Sequence, residues 1–439
     1  MHKFGTDGIR SKAEDFTPEF LAKIIRGLTG YAGDNIKIFL AGDTRESTEW
    51  ILQDLATACE TFGIEYSLAG VLPTPGINYC FYEMGFDFAI DVTASHNPYT
   101  DNGIKIFERG KSQGTKLSEQ GRTTIEASLA EDLDFSPATT SDREDLHAEA
   151  LSLYLEHLAN YLDKADFHGL RIGMDCANGA TSVVNSQIFE QFGAQIELIN
   201  CCKNYNTNIN KDCGSTHLEQ LQSLVTEKHL DFGVAFDGDG DRCLAVDADG
   251  NTVDGDQMLA FLSQYLGLDS IVTTVMAGQG LLNWANETGI HAEVTAVGDP
   301  NVVAAMIEKN IQIGSEQNGH VILPGLTSGD GMLTALMIAK AVSESNKSLQ
   351  ELANIIVKFP QIIVNMTATP EQKQSLKTSD VAKQLLLDYS QKLTTLDGRL
   401  LVRPSGTEPL IRITMWGNDE NAISNLANEL KDNLIKCLL

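Results

Sequence analysis

The chain has 439 residues, 42% of them hydrophobic, which is more than one core usually organises and supports about two to four globular domains. Sixty acidic against thirty-two basic residues give a formal net charge of −28, which disfavours broad attraction to nucleic acid or to an anionic membrane surface. No apolar stretch reaches the roughly eighteen residues of a membrane span, and the N-terminus MHKFGTDGIR lacks the apolar core of a signal peptide. Eight cysteines without a C-x-x-C pair fit reduced thiols, so a cytoplasmic protein is expected.

Along the chain, Gly5, Thr6, Asp7 and Gly8 form a turn that reads as part of a site rather than a tail. Short β-branched runs then alternate with helical patterns, the signature of βαβ units and mostly parallel sheet. A weak internal repeat follows: first strands at 36–45, 170–181 and 270–280, second strands at 63–70, 193–200 and 289–299, third strands at 86–98, 230–242 and 309–320. Each third strand runs into the most polar loop of its unit. Ligands of open α/β sheets bind beyond the carboxyl ends of the strands, so three such loops make three walls of one cleft. The polar stretch 131–146 reads as a linker, and 243–258 reads as a hairpin turning at Asp249-Gly250. Near 359–368 the pattern changes in kind. The expected fold is three related α/β domains with mixed, mostly parallel sheets (1–145, 146–252, 253–358) and a smaller C-terminal α+β domain (359–439) around a central cleft.

DGDGDR places Asp237, Asp239 and Asp241 at alternate positions after the apolar run FGVAF. Three carboxylates so close repel unless a cation sits among them, and a hard, oxygen-loving ion is the natural partner. An EF-hand is excluded because Arg242 and Ala248 stand where Gly and Glu belong. Magnesium on these carboxylates keeps positions open for a phosphate oxygen. Ser95, in DVTASHNPYTDNGIKIF, fits that vacancy as a phosphoserine, with Arg10, His96 and Lys105 screening its charge. Read alone, it is an ordinary turn serine, and no G-x-S-x-G elbow surrounds it. In SEQNGH, the alternate residues Glu316, Asn318 and His320 point one way if the backbone is extended, and the first two suit sugar hydroxyls. RPSGTEPLIR sets Ser405, Gly406 and Thr407 between Arg403 and Arg412, a phosphate cradle in an otherwise acidic chain. No Walker A loop occurs.

FGTDGIR, TASHNP with NGIK behind it, DGDGDR, SEQNGH and RPSGTEPLIR stand in an order that closely resembles the α-D-phosphohexomutase family across residues 4–412. The resemblance implies a heart-shaped, four-domain enzyme interconverting glucosamine 6-phosphate and glucosamine 1-phosphate for UDP-N-acetylglucosamine and cell-wall precursor synthesis. It implies a phosphoserine at Ser95, one Mg²⁺ on Ser95, Asp237, Asp239 and Asp241, and a hexosamine 1,6-bisphosphate as intermediate and activator. Arg10, His96, Lys105 and Arg242 then surround the moving phosphoryl group, with Lys105 or His320 as acid/base. Glu316 and Asn318 hold the sugar, and Arg403, Ser405, Gly406, Thr407 and Arg412 the other phosphate. The implied partner is a small sugar phosphate, with no nucleic acid and no membrane; a homodimer stays open. Two departures fall in the sugar-reading domain: Ser315 and Asn318 stand where the family has Gly and Ser, and Pro300 follows V-G-D where a basic residue is usual. A glucose or mannose phosphate mutase is the near alternative. A sugar-phosphate sensor and a calcium-clamped structural protein are the distant ones.

Overall fold

The computed structural model describes residues 4, 5, 7–137, 143–405 and 409–438. Four sheets follow one another along the chain. The first contains β1 (Ile9–Lys12), β2 (Lys37–Gly42), β3 (Glu65–Val71), β4 (Phe88–Val92), β5 (Asp101–Arg109) and β6 (Gly114–Lys116), in the order β1-β5-β4-β2-β3 with β6 on β5. The second contains β7 (Arg171–Asp175), β8 (Gln195–Ile199), β9 (Phe232–Phe236), β10 (Cys243–Asp247) and β11 (Thr252–Val253), in the order β11-β10-β9-β7-β8. The third contains β12 (Ser270–Thr274), β13 (His291–Thr295), β14 (Gly314–Ser315) and β15 (Val321–Ile322), in the order β13-β12-β14-β15.

The repeat legible in the sequence is real in space. In each unit the first strand is central, and the second and third pair with it in parallel. The strand after each third strand then folds back antiparallel. The last sheet is different: β16 (Gln361–Thr367), β17 (Arg399–Pro404) and β18 (Leu410–Trp416) are antiparallel in the order β16-β18-β17. Helices Asp380–Thr394 and Glu420–Cys437 pack on it.

Alternation along β2 explains how the first sheet is covered on both faces. Ile38 and Leu40 join a core with helices Pro18–Ala32, Glu46–Phe62 and Glu119–Leu129, while Phe39 and Ala41 point to the opposite face. That second face belongs to a cluster that continues through Met174 and Phe236 of the second unit to Ile271 and Ile313 of the third. Helix Gly331–Ser345 lies within this shared core and is buried nearly all round, as its sequence GMLTALMIAKAVSES allows. Its N-cap Asp330 accepts a hydrogen bond from Leu333 N, and its two carboxylate oxygens share the single Tyr154 hydroxyl proton, each at 3.0 Å from the hydroxyl oxygen. Gly331 N donates to Gly240 O at 3.0 Å, so this helix begins directly beneath the DGDGDR loop.

The expected linker, 131–146, lies outside the described residues at 138–142 and does not end as a free connector. Leu68 N donates to Glu144 O and Leu146 N to Leu68 O, which lays 144–146 along the open edge of β3. The 243–258 hairpin forms as expected, with β10 and β11 paired around Asp249 and Gly250. Among the described residues, no helix is long and apolar enough to cross a membrane.

Candidate active site

The polar loops after β4, β9 and β14 converge. Ser95 sits one turn beyond β4 at φ 54°, a left-handed conformation unusual for serine, and is fully buried. Its N–H donates to Thr93 Oγ1 at 2.9 Å, and its Oγ donates to Asp237 Oδ2 at 2.8 Å. The serine is therefore aimed at the acidic loop rather than capping its own turn. Gly238 is needed at that meeting point: a Cβ there would lie 2.6 Å from Ser95 O.

The backbone of the serine loop is gripped by a residue the sequence reading did not single out. Arg45, fully buried after β2, donates to Ser95 O and Asn97 O at 2.8 Å, to Pro98 O at 2.6 Å and to Asp101 O at 3.1 Å. Asp43 holds its Nε at 2.9 Å. Asn210 Nδ2 donates to Ser95 O and Asn97 O from the second domain. Breaking such a buried ion pair by deleting one partner typically costs about 3–5 kcal/mol. The strained serine is thus held from two domains.

Asp237, Asp239 and Asp241 bring one carboxylate oxygen each within 4.8 Å of one another, all three buried. Burial and the charges of Asp239 and Asp241 push Asp237 well above the usual carboxylate range. Burial acts the same way on Asp241, but Lys105, His320 and Arg242 outweigh it and hold it low. Asp239 Oδ1 and Asp241 Oδ1 are buried without a hydrogen-bond partner. Orphaned carboxylate oxygens in a shared buried cluster fit a hard divalent cation such as magnesium.

Lys105 reaches into the cluster from β5, at 2.7 Å from Asp239 Oδ2 and 3.1 Å from Asp241 Oδ2. Burial lowers its pKa, but Asp239, Asp241 and Asp7 overcompensate and raise it well above the usual value. In this arrangement Lys105 is an ammonium donor. Arg242 Nη1 donates to His96 Nδ1 at 3.0 Å, which leaves the other ring nitrogen to carry the proton. Burial, Arg242 and Arg10 push His96 down to about 4, so it is neutral at physiological pH. Gly329 N donates to His320 Nε2 at 3.0 Å, and His320 Nδ1 faces Asp241 Oδ1 at 3.7 Å. The Nδ1 proton is the one His320 can offer.

Three further charges join this wall: Asp7, from the turn expected to belong to a site, and Lys116 and Asp299, to which the sequence assigns no role. Asp7 pairs with Arg10 at 2.8 Å, with Lys105 at 3.3 Å and with Lys116. Lys116 also pairs with Asp299 at 2.6 Å. Gly8 makes this possible: at φ 100° it lies against β5, where a Cβ would meet Ile104 O at 2.2 Å. Pro300, Asp7, Gly8, Lys105 and Lys116 border a cavity of about 200 Å³.

SEQNGH departs from the extended geometry expected of it. Residues 316–320 form the turn between β14 and β15, closed by Glu316 N to His320 O and Gly319 N to Glu316 O. Asn318-Gly319 is the turn dipeptide, so the three side chains diverge. His320 points to the acidic loop, Glu316 Oε1 accepts from Gly298 N at 3.0 Å, and Asn318 is exposed. On the C-terminal sheet Arg403 and Arg412 are cross-strand partners on β17 and β18. Ser405 N donates to Leu410 O, and Lys373 Nζ donates to Ser405 O at 2.7 Å. Gly406 and Thr407 lie outside the described residues. The candidate residues thus fall into two groups: one around Ser95 and the aspartates, and a second on the C-terminal sheet.

Profiles of four phosphoglucomutase/phosphomannomutase domains match the chain: α/β/α domain I at 1–134, domain II at 152–250, domain III at 254–359 and the C-terminal domain at 338–433. The phosphoglucosamine mutase of Caldicellulosiruptor bescii is 40% identical over 97% of both chains, and that of Clostridium tetani 36% identical over 97% of both. Among solved structures, a phosphoglucomutase/phosphomannomutase family protein of Burkholderia thailandensis superposes with a TM-score of 0.77 at 19% identity, covering 99% of this chain and 97% of its own. Aspergillus fumigatus N-acetylphosphoglucosamine mutase, solved with GlcNAc-6P and magnesium, gives 0.68 at 14% identity, covering 100% and 96%. Full-length identity to these relatives, four domain matches in order and a buried acidic triad facing a serine make this chain a member of the phosphoglucomutase/phosphomannomutase family, the α-D-phosphohexomutases.

Proposed function

We propose that the protein interconverts glucosamine 6-phosphate and glucosamine 1-phosphate, with Ser95 carrying the phosphoryl group and Asp237, Asp239 and Asp241 holding Mg²⁺. The observation that carries this reading is the 2.8 Å hydrogen bond from Ser95 Oγ to Asp237 Oδ2, which puts a strained, buried serine at the edge of the acidic cluster. The glucosamine preference is supported by relatives at 36–40% identity that bear that name.

Phosphoryl transfer asks a protein chiefly for in-line positioning and charge neutralisation. When bound, magnesium supplies Lewis-acid charge to the phosphoryl oxygens. Arg45 and Asn210 fix the Ser95 backbone so that Oγ keeps one direction. Lys105 and Arg242, both tied to the aspartates, bring cationic hydrogen-bond donors to the same place. His320, with its Nδ1 proton beside Asp241, is the residue placed to exchange a proton with the sugar hydroxyl. Glu316 and the exposed Asn318 border the sugar. Arg403 and Arg412 grip the phosphate that does not react, each able to bind it bidentately. Ser95 gives its phosphoryl group to the free hydroxyl, the resulting 1,6-bisphosphate turns end over end, and Ser95 takes back the other phosphate. A separate phosphate-binding domain suits that reorientation, because it grips either end in turn.

The test is kcat/KM of the phosphorylated, Mg²⁺-loaded protein for glucosamine 6-phosphate, glucose 6-phosphate and mannose 6-phosphate. Glucosamine 6-phosphate is expected to lead by at least about ten-fold, or about 1.4 kcal/mol of transition-state preference. A neutral hexose phosphate in the lead overturns the substrate and directs attention to Asn318 and Pro300.

A further inference from the structure

Strands β4 and β5 bring a further buried acid beside the catalytic loops. Asp91 and Lys105 are cross-strand partners, so both side chains leave the sheet on one face, the face whose Ala89 and Phe107 join the shared core. Lys105 is committed to Asp7, Asp239 and Asp241. Asp91 is fully buried with no such grip: its Oδ1 lacks a hydrogen-bond partner, and its Oδ2 lies 2.5 Å from the Thr74 hydroxyl oxygen. Asp43, equally buried after β2, is by contrast met by four donors, Arg45 N, Arg45 Nε, Thr48 Oγ1 and Thr93 Oγ1. A buried charge without a paired cation or a set of donors is costly, so the acid that lacks them is the neutral one. Burial pushes Asp91 well above the usual carboxylate range, against the opposing charge of Lys105.

Thr74 carries this acid's influence to the acidic loop. It is the first residue of helix Thr74–Glu83, its N–H donates to Asp239 O at 2.9 Å, and its Oγ1 also lies 3.2 Å from Asp239 Oδ2. One hydroxyl, with a single proton of its own, thus stands between two carboxyl oxygens. A second proton, on Asp91 Oδ2, turns both contacts into full hydrogen bonds: Asp91 donates to Thr74 Oγ1, and Thr74 donates to Asp239 Oδ2. Lys105 Nζ holds the same Oδ2 at 2.7 Å. Two donors therefore fix one oxygen of Asp239, and the other, Oδ1, stays buried and unpartnered.

We propose that Asp91 is a positioning residue that, as a neutral acid acting through Thr74, fixes the carboxylate of Asp239 and keeps its Oδ1 free for the divalent cation. The inference rests on the reading of Asp239 as a metal ligand. Groups that hydrogen-bond a ligating carboxylate set its orientation, and losing one typically weakens metal binding by about 10- to 100-fold. A neutral Asp91 also spares the site a further negative charge, which Lys105, already shared among three carboxylates, could not balance.

The experiment is titration of the dephosphorylated protein with Mn²⁺, a hard stand-in for magnesium, followed by electron paramagnetic resonance. Thr74→Val is expected to raise the Mn²⁺ Kd by about ten-fold or more, Asp91→Leu to raise it in the same direction, and Thr74→Ser, which keeps the hydroxyl, to retain the wild-type value. Asp91→Asn is also expected to retain it, because an amide donates to Thr74 Oγ1 as a carboxylic acid does. The infrared difference spectrum of metal-free wild type minus Asp91→Asn at neutral pH is expected to show the carbonyl band of a protonated carboxylic acid. A Kd unchanged in Thr74→Val or in Asp91→Leu, whatever the melting temperature does, reduces the pair to packing and overturns the proposal. So does a missing carboxylic acid band, or a Kd that rises as far in Asp91→Asn as in Thr74→Val. A wild type that binds no Mn²⁺ overturns the metal assignment and the positioning role with it, whereas a wild-type site indifferent to these variants overturns the positioning role alone, so the two failures are distinct.

Discussion

The first three domains share one apolar core, whereas the C-terminal domain closes a core of its own. The shared cluster runs unbroken from Phe39 through Phe236 to Ile313, while Met366, Tyr389, Ile413 and Leu430 form a separate cluster. Among the described residues, no helix or strand of the C-terminal domain packs broadly on an element of the other three. Arg399, stacked on Trp416, reaches across to Ala277 O. Chemistry that depends on distances between loops of different domains is thus built on one continuous core, and the proposed phosphate grip is built on a unit with its own core. On the proposed mechanism, this division reconciles a fixed reaction centre with an intermediate that turns around.

Four variants sharpen or break that contrast. Ser95→Ala, on the fixed side, is expected to lower turnover by about 10⁴-fold or more, as loss of a covalent nucleophile does, with the melting temperature retained; activity near wild type breaks the mechanism. Arg412→Ala, in the C-terminal unit, is expected to raise KM on the order of ten- to a hundred-fold through loss of a charged hydrogen bond, with kcat less affected. An equal fall in kcat in steady-state assays means that the grip is part of the reaction centre.

Asp237→Asn removes one of three repelling carboxylates. Melting without metal is expected at or above the wild-type temperature, while the gain of about 2.7 kcal/mol available at a hundred-fold excess of Mg²⁺ over Kd is lost. Loss of stability without metal contradicts the repulsion argument.

Asp330 tests the shared core itself. Burial pushes its pKa up to about 6 from the ordinary 3.8, so the folded protein binds this proton more tightly than the unfolded chain does. The stability it contributes is full below pH 3.8 and is lost as pH rises to about 6. Asp330→Asn is expected to flatten urea-denaturation midpoints across that window, the smallest of the four effects. An unchanged slope places the titration elsewhere.

Much of this was legible in the sequence because it is local. Apolar runs such as FAIDV and FGVAF end in polar loops, and the rule that ligands sit beyond strand carboxyl ends points to Ser95 and the aspartates. The same rule holds for β2, where Asp43 and Arg45 follow in GDTR, but a single Asp and Arg in a turn are locally indistinguishable from surface charges. Lys116 carries no local signal, Asp7 shows one only through its glycine-flanked turn, and Asp299 only as the end of V-G-D. They are ordinary charges until Gly8 lays the N-terminal turn on β5 and β6. In SEQNGH the Asn-Gly pair is a strong hairpin dipeptide that turns β14 into β15, which overrides the extended backbone that a common direction for Glu316, Asn318 and His320 requires.

The central claim is that Ser95 carries the phosphoryl group. It is tested most directly by incubating the dephosphorylated protein with glucosamine 1,6-bisphosphate and Mg²⁺ and mapping the phosphopeptide by mass spectrometry. The account predicts one phosphate, on Ser95, that disappears when excess glucosamine 6-phosphate is added. Turnover without phosphate on Ser95, or with phosphate on another residue, contradicts it.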